Sequence, residues 1–364
     1  MRKNTVLNGA RKAKKDEFYT QLVDIEKEME AYLAYDANVF QGKIVLLPCD
    51  DPTISNFTRY FITHFEELGL KKLISTSYAP QEEQQQSFLY DPEPGLFDDA
   101  FEDVNNVSVA QHGKIFVLDN PHTVIDVDDI PYTYLEGDGD FRSGEITKLR
   151  DEADMVITNP PFSLFRQFVP WVEDGDVQYS IIGNLNAITY KEVFYLIERN
   201  DLWLGSTISS GDREFQVPDS YPLEALSTRV DDDGDGKRYV RVTGVRWFTN
   251  IQHGKRHEPL ELMTMEENLQ HNNRIITNAN SYKQYDHYDA IEIPFTSGIP
   301  SDYQGIMGVP ISFLDKYCPE QFEIIGCSHN HGRPKGWDEN VSMSTVIDGK
   351  SIYKRLFIQH RNDV

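Results

Sequence analysis

Met155-Val156-Ile157-Thr158-Asn159-Pro160-Pro161-Phe162 is the stretch on which the reading of this chain turns. Its first four residues form a short apolar run of the kind that makes a strand buried on both faces. Asn159 therefore stands at a strand's C-terminal end, where open α/β sheets place their ligands. Pro160 and Pro161 fix the backbone, remove two N–H donors and leave carbonyl oxygens to point into a cleft. The Asn159 amide and the carbonyl that follows offer two acceptors to one exocyclic NH2. With both N–H bonds held, the nitrogen lone pair is aimed at an incoming methyl group. Phe162 supplies a flat face for a base taken out of its stack, which an enzyme acting on a base must provide.

Outward from this motif, strand-like runs alternate with helical periodicity over the first two thirds of the chain, which predicts an α/β fold with helices on both faces of a parallel sheet. Leu22, Ile25, Met29 and Leu33 mark one helical face, and Gly42 precedes a first strand over Ile44 to Leu47. Asp51 is the expected cap of the next helix, with Pro52 at its first position. Ile54, Phe57, Phe61, Phe65 and Leu68 would form that helix's inner stripe and Gly69 its stop. Further strands are expected over Leu73 to Thr76, Ile115 to Leu118, Met155 to Thr158, Tyr179 to Ile182 and Leu202 to Leu204. Beyond Gly254 the alternation loosens into proline-punctuated, polar sequence, read as a recognition region.

At 364 residues the chain is long enough for one large α/β domain with an appended module, or for two domains. No apolar run approaches the ~20 residues of a membrane span, and the N-terminus lacks an apolar signal core. Three scattered cysteines, Cys49, Cys318 and Cys327, suggest neither a disulfide framework nor a zinc site and fit a reducing cytoplasm. The formal net charge of −24 opposes binding to a polyanion. Its distribution softens the objection: Arg2, Lys3, Arg11, Lys12, Lys14 and Lys15 form an N-terminal arm of +6, leaving −30 on the rest. The arm is the candidate DNA contact, and the acidic stretches Asp98 to Asp103, Asp126 to Asp129 and Asp231 to Asp235 should lie away from a duplex.

Six stretches then occur in a telling order: Lys15-Asp16-Glu17-Phe18-Tyr19-Thr20; Cys49-Asp50-Asp51-Pro52 with Ser55-Asn56-Phe57; Glu136 to Ser143; Asn159 to Phe162; Ile182 to Ile188; and Gly244 to Asn250. Together they resemble the ordered motifs of EcoRI-type adenine-specific DNA methyltransferases, from about residue 12 to about residue 326. The resemblance implies a Rossmann-like class I methyltransferase with a mixed, mostly parallel seven-stranded sheet and a C-terminal target-recognition region. The implied organisation is an arm over 1–15, a catalytic domain over 16–253 and target recognition over 254–364. The implied reaction is direct methyl transfer from S-adenosylmethionine to N6 of a flipped-out adenine in double-stranded DNA, leaving S-adenosylhomocysteine, with no metal. By the same resemblance Phe18, Tyr19 and Thr20 close over the methionine end of the cofactor. Asp50 and Asp51 face its ammonium group and ribose, and Asp140 and Phe141 hold its adenine. Asn159, Pro160, Pro161 and Phe162 are the catalytic motif, and Trp247 and Phe248 join Phe162 in lining the base pocket. A cognate restriction endonuclease is a candidate partner.

The sequence departs from general methyltransferases where Pro48, Cys49 and Asp50 replace a glycine-rich loop after the first strand, and where Ser75-Thr76-Ser77-Tyr78 stands in place of a ribose-binding acid. Pro48-Cys49 ends the first strand, not the fourth, so it reads as structural and not as a cytosine-methylating nucleophile. The Asp231 to Gly236 run lacks the closing glutamate of a calcium loop, and Cys327, His329 and His331 fall short of a zinc set. Two other readings stay open on the residues alone. One is an amino-group methyltransferase acting on RNA adenine or protein glutamine; the other is a catalytically silent acidic DNA mimic.

Overall fold

The computed structural model of the chain describes residues 20–79, 112–209, 212–217, 228–230, 238–278 and 281–361. Phe18, Tyr19, the six basic residues of the arm and the acidic stretches at 98–103 and 231–235 lie outside the described residues.

Helix α1 (Leu22–Tyr35) buries Ile25 and Met29 and packs Leu33 partly buried against the core, as expected; Tyr32 is buried as well, whereas Leu22 is 39% exposed. Glu28 is also buried. Its carboxylate accepts hydrogen bonds from the backbone N–H groups of Ser206 and Thr207, both at 2.9 Å, and from the Thr207 hydroxyl at 2.5 Å. Strand β1 (Ile44–Leu47) follows Gly42, whose φ of +71° suits glycine. Helix α2 (Asn56–Thr63) starts later than the sequence suggested. Its N-cap is Ser55, whose Oγ accepts from the Phe57 N–H, while Asp51 closes a separate turn by accepting from the Thr53 N–H and hydroxyl. Ile54, outside the helix, is consequently 45% exposed, and Phe57, Phe61, Phe65 and Leu68 are buried as the periodicity predicts.

Next in chain order come β2 (Lys72–Thr76), β3 (Lys114–Leu118), β4 (Thr133–Tyr134), α3 (Gly144–Glu152), β5 (Met155–Thr158), α4 (Phe165–Glu173), β6 (Gln178–Asn184), α5 (Lys191–Glu198) and β7 (Trp203–Leu204). They are followed by β8 (Asp212–Val217), β9 (Thr228–Val230), β10 (Arg238–Thr243) and β11 (Val245–Thr249). The main sheet has the order β4-β3-β2-β1-β5-β6-β11-β7, and β8, β10 and β9 form a separate three-stranded sheet. Pairings β1·β2, β1·β5 and β5·β6 are parallel, and the other four are antiparallel. The sheet is mixed, as expected, but has eight strands and not seven, and antiparallel pairings outnumber parallel ones. The strand missed, β4, is two residues long and shows no periodicity.

Strand alternation sorts the core into two layers. Leu46, Ile74, Val156, Ile181 and Phe248 face α4 and α5, whereas Val45, Leu47, Leu73, Met155, Ile157, Ile182 and Trp247 face α1 and α2. The C-terminal part adds α6 (Met265–His271), capped by Thr264 and Glu267, then α7 (Asn273–Asn278) and β12 (Ile291–Glu292). It continues through β13 (Met307–Pro310), β14 (Phe322–Cys327), a hairpin of β15 (Val346–Ile347) and β16 (Lys350–Ser351), and β17 (Arg355–His360). Its sheet, β12-β13-β17-β14, does not stand apart: Phe322, Ile324, Leu356 and Ile358 belong to the same apolar cluster as Phe194 and Ile197 of α5. Among the described residues no helix is long and apolar enough to cross a membrane.

Candidate active site

The sheet order puts β1 between β2, which follows it in the chain, and β5, which comes much later. The chain direction therefore diverges at β1, and the C-terminal ends of β1 and β5 are where such sheets usually open a binding crevice. Cys49, Asp50 and Asp51 leave β1 at this edge, and Asn159 to Phe162 leave β5 beside them. The two segments thus leave adjacent, parallel strands.

Asp50 ties the edge together. Its N–H donates to the Thr76 carbonyl at 2.9 Å, and its own carbonyl accepts from the Ser75 hydroxyl at 2.7 Å. One carboxylate oxygen accepts from the α2 cap Ser55 at 2.8 Å and the other from Thr158 at 2.5 Å, one residue before Asn159. Burial pushes the Asp50 carboxyl up to about 7, against the opposing pull of the Thr158 and Ser55 hydrogen bonds; the charge of Asp51 adds a little to the rise. Asp51 is less enclosed and pairs with Lys114 of β3, Nζ to Oδ2 at 2.9 Å. Sequence reasoning missed Thr158 and Ser55 as partners of Asp50, although a lone hydroxyl ending an apolar strand was a usable signal.

Thr20 lies 4% exposed, held through its carbonyl by the Asn56 side chain at 2.8 Å. Its hydroxyl is buried without a hydrogen-bond partner among the described residues. Across the edge, the loop from Glu136 to Ser143 lies against the residues after β2: Ala79 donates to the Asp138 carbonyl, and Gly113 to that of Gly137. Gly139, at φ +81°, approaches so closely that a Cβ there would sit 2.0 Å from the Ser77 carbonyl oxygen. Asp140 is forked to Arg142, whose Nε and Nη2 donate at 2.9 and 2.5 Å and hold its carboxyl below the usual range; Arg142 also donates to Gln167 of α4 at 3.0 Å. Phe141 is 4% exposed, its ring edge-on to Phe168 and Trp171, so it roots this loop on α4.

Within the central motif, Asn159 and Pro161 are half-buried and Pro160 is buried. The Pro161 carbonyl accepts from the Leu164 N–H at 2.9 Å, making the turn into α4. Phe162 is 8% exposed, with its ring perpendicular to that of Phe215 at 6.4 Å. Trp247 and Phe248 are fully buried on opposite faces of β11, one edge-on to Phe57 and the other against Phe165. Neither ring is accessible, because successive residues of a central strand point into the two different core layers.

Ser55, Asp50 and Thr158 are thus joined by hydrogen bonds where β1 and β5 end. A family model described as adenine-specific methyltransferase EcoRI matches residues 6–361. The chain is 39% identical to the type II methyltransferase M.EcoRI of Escherichia coli, over 98% of this chain and 97% of that one. It is 33% identical to M.MpnI of Mycoplasma pneumoniae over 98% of both chains, and 33% identical to M.MgeORF184P of Mycoplasma genitalium over 89% and 86%. No solved structure matches. With a family model matched along nearly its whole length and relatives of the same length at these identities, this chain belongs to the EcoRI family of adenine-specific DNA methyltransferases.

Proposed function

We propose that the chain methylates N6 of an adenine at a specific site in duplex DNA, and that Asn159 and the Pro160 carbonyl are the acceptors that orient the amino group. The observation that carries this is the position of Asn159-Pro160-Pro161-Phe162 at the exit of β5, beside the β1 exit. S-adenosylmethionine, when bound, supplies an electrophilic methyl group. Asn159 Oδ1 and the Pro160 carbonyl accept the two N–H bonds, directing the lone pair outward and stabilising positive charge as it develops on nitrogen. Thr20, with Phe18 and Tyr19, would hold the methionine end of the cofactor; its unpartnered hydroxyl suits that task. Asp51 and Asp140 would serve the ribose and adenine. We read Asp50 as the brace beneath the site, since both its oxygens are engaged by protein hydroxyls.

The α/β order and the site at the divergence of β1 support a Rossmann-like class I arrangement, with residues 254–364 as target recognition. A cognate endonuclease as partner and a cytoplasmic location fit the relatives' designation as type II methyltransferases. Sequencing genomic DNA from an expressing host tests the proposal: methylated adenine at one sequence motif is expected, and its absence from a host carrying Asn159→Ala. Methylated RNA with unmodified DNA, or no S-adenosylmethionine binding by calorimetry, would overturn it.

A further inference from the structure

Where a chain with 59 acidic and 35 basic residues meets DNA phosphates is the question the site leaves open. The charge is not evenly spread, because residues 254–364 hold 11 Lys or Arg against 15 Asp or Glu, close to balance. A cleft of about 520 Å³ is lined largely from that part, by Lys255, Arg274, Phe295, Ser312 and Lys316 among others, with Ser209 added from outside it. Its charged lining is three cations and one acid, Asp315. Asp315 is already neutralised by Arg246 of β11 in a buried bidentate pair, Nε–Oδ1 at 2.6 Å and Nη2–Oδ2 at 2.9 Å.

We propose, resting on the DNA methyltransferase reading, that this cleft seats the sugar-phosphate backbone of the DNA. Three arguments support it. First, the wall carries three cations together with the hydroxyl residues Ser209, Thr296 and Ser312, the kinds of group that contact phosphate oxygens in protein–DNA complexes. Second, the cations are held in place: Lys255 Nζ donates to the Ser206 carbonyl at 2.6 Å, and the Arg274 guanidinium stacks 4.5 Å over the Phe295 ring. Third, the cleft is joined to the catalytic edge. Arg246 pairs in register with Gly183 near the C-terminal end of β6, and its Nη2 donates to the Ser209 carbonyl in the cleft wall at 2.8 Å. Backbone held there is registered against the sheet that carries Asn159. The seat carries no base-reading role.

The test is fluorescence anisotropy of the full chain with a short duplex carrying the mapped site and a scrambled duplex of equal length, across a salt series. Lys316→Gln and Arg274→Gln remove one charge each, and Lys316 is exposed, so its substitution spares the fold. Each lost phosphate contact should lower the slope of log affinity against log salt by ~0.9, so the affinity loss between about 50 and 200 mM salt shrinks by roughly 3-fold. The weakening should be equal for both duplexes, and Lys350→Gln on the distant hairpin should keep the wild-type slope. Unchanged slopes in both cleft variants overturn the proposal. So does a thermal shift by inorganic phosphate that Lys316→Gln abolishes while the duplex slope stays constant, which would mark a small-anion site. Failure of the wild-type protein to methylate the mapped duplex would instead refute the underlying activity.

Discussion

Exchanging Asp50 for asparagine isolates what the buried carboxylate does. The amide keeps the shape, can accept from Thr158 through its oxygen and can donate to Ser55 through its nitrogen, but it removes the charge. The folded-state value of about 7 lies well above the ordinary 3.8. Folding therefore favours the protonated acid, so the stabilisation is fully present below the unfolded value and is lost as pH rises through 7. Over the interval from about pH 5.5 to about pH 8.5, wild-type protein should lose about 2 kcal/mol of unfolding free energy more than Asp50→Asn does. Urea titrations at half-unit pH steps measure the difference, provided the m-value stays constant between the two proteins. A difference flat within ~0.5 kcal/mol over that range would refute the argument, because Asp50 would then ionise as an ordinary surface acid does. Cofactor calorimetry on the same pair separates bracing from direct contact. Loss of a charged hydrogen bond to the cofactor's ammonium group would weaken binding roughly 10- to 150-fold, whereas a brace predicts little change.

Asn159→Ala should lower turnover by at least ~10²-fold, the scale of losing one preorganised charge-stabilising group, with S-adenosylmethionine affinity nearly unchanged; single-turnover methylation of a mapped duplex measures it. Phe162→Ala would also open a core cavity beside Phe215, at ~3–5 kcal/mol, so Phe162→Leu is the cleaner test of base stacking. It should slow transfer ~5- to 150-fold and regain part of the loss on a mismatched adenine, and 2-aminopurine that stays quenched in the wild-type complex would count against flipping. Arg246→Ala should destabilise by ~3–5 kcal/mol by stranding Asp315, and the double change Arg246→Met with Asp315→Leu should recover most of that in denaturant unfolding.

Local patterns carried the strands well: Ile44 to Leu47 and Met155 to Thr158 are apolar on both sides because both faces of a central strand are covered. What periodicity missed involves polar groups satisfied at long range. Glu28 is indistinguishable in sequence from a solvated helix residue, and its partners lie 178 and 179 positions away. Asp51 looked like a helix cap because Pro52 follows it, yet a second cap, Ser55, competed and won. Thr158 had no visible role without Asp50, 108 positions distant. The motif order set Trp247 and Phe248 together in one pocket and gave no sign that they point to opposite core layers.

The shared apolar cluster between α5 and the C-terminal sheet bears on how such an enzyme could acquire a new target. A recognition segment that could be cut out and replaced as a cassette would need its own sealed interior. Here a break at residue 254 would strip cover from Phe194 and Ile197 on one side and from Phe322 and Leu356 on the other. Chimaeras joined at that point should therefore be insoluble unless both sides of the seam are inherited together. A new target should therefore be reached more readily by substitutions in surface loops, with the shared cluster left whole.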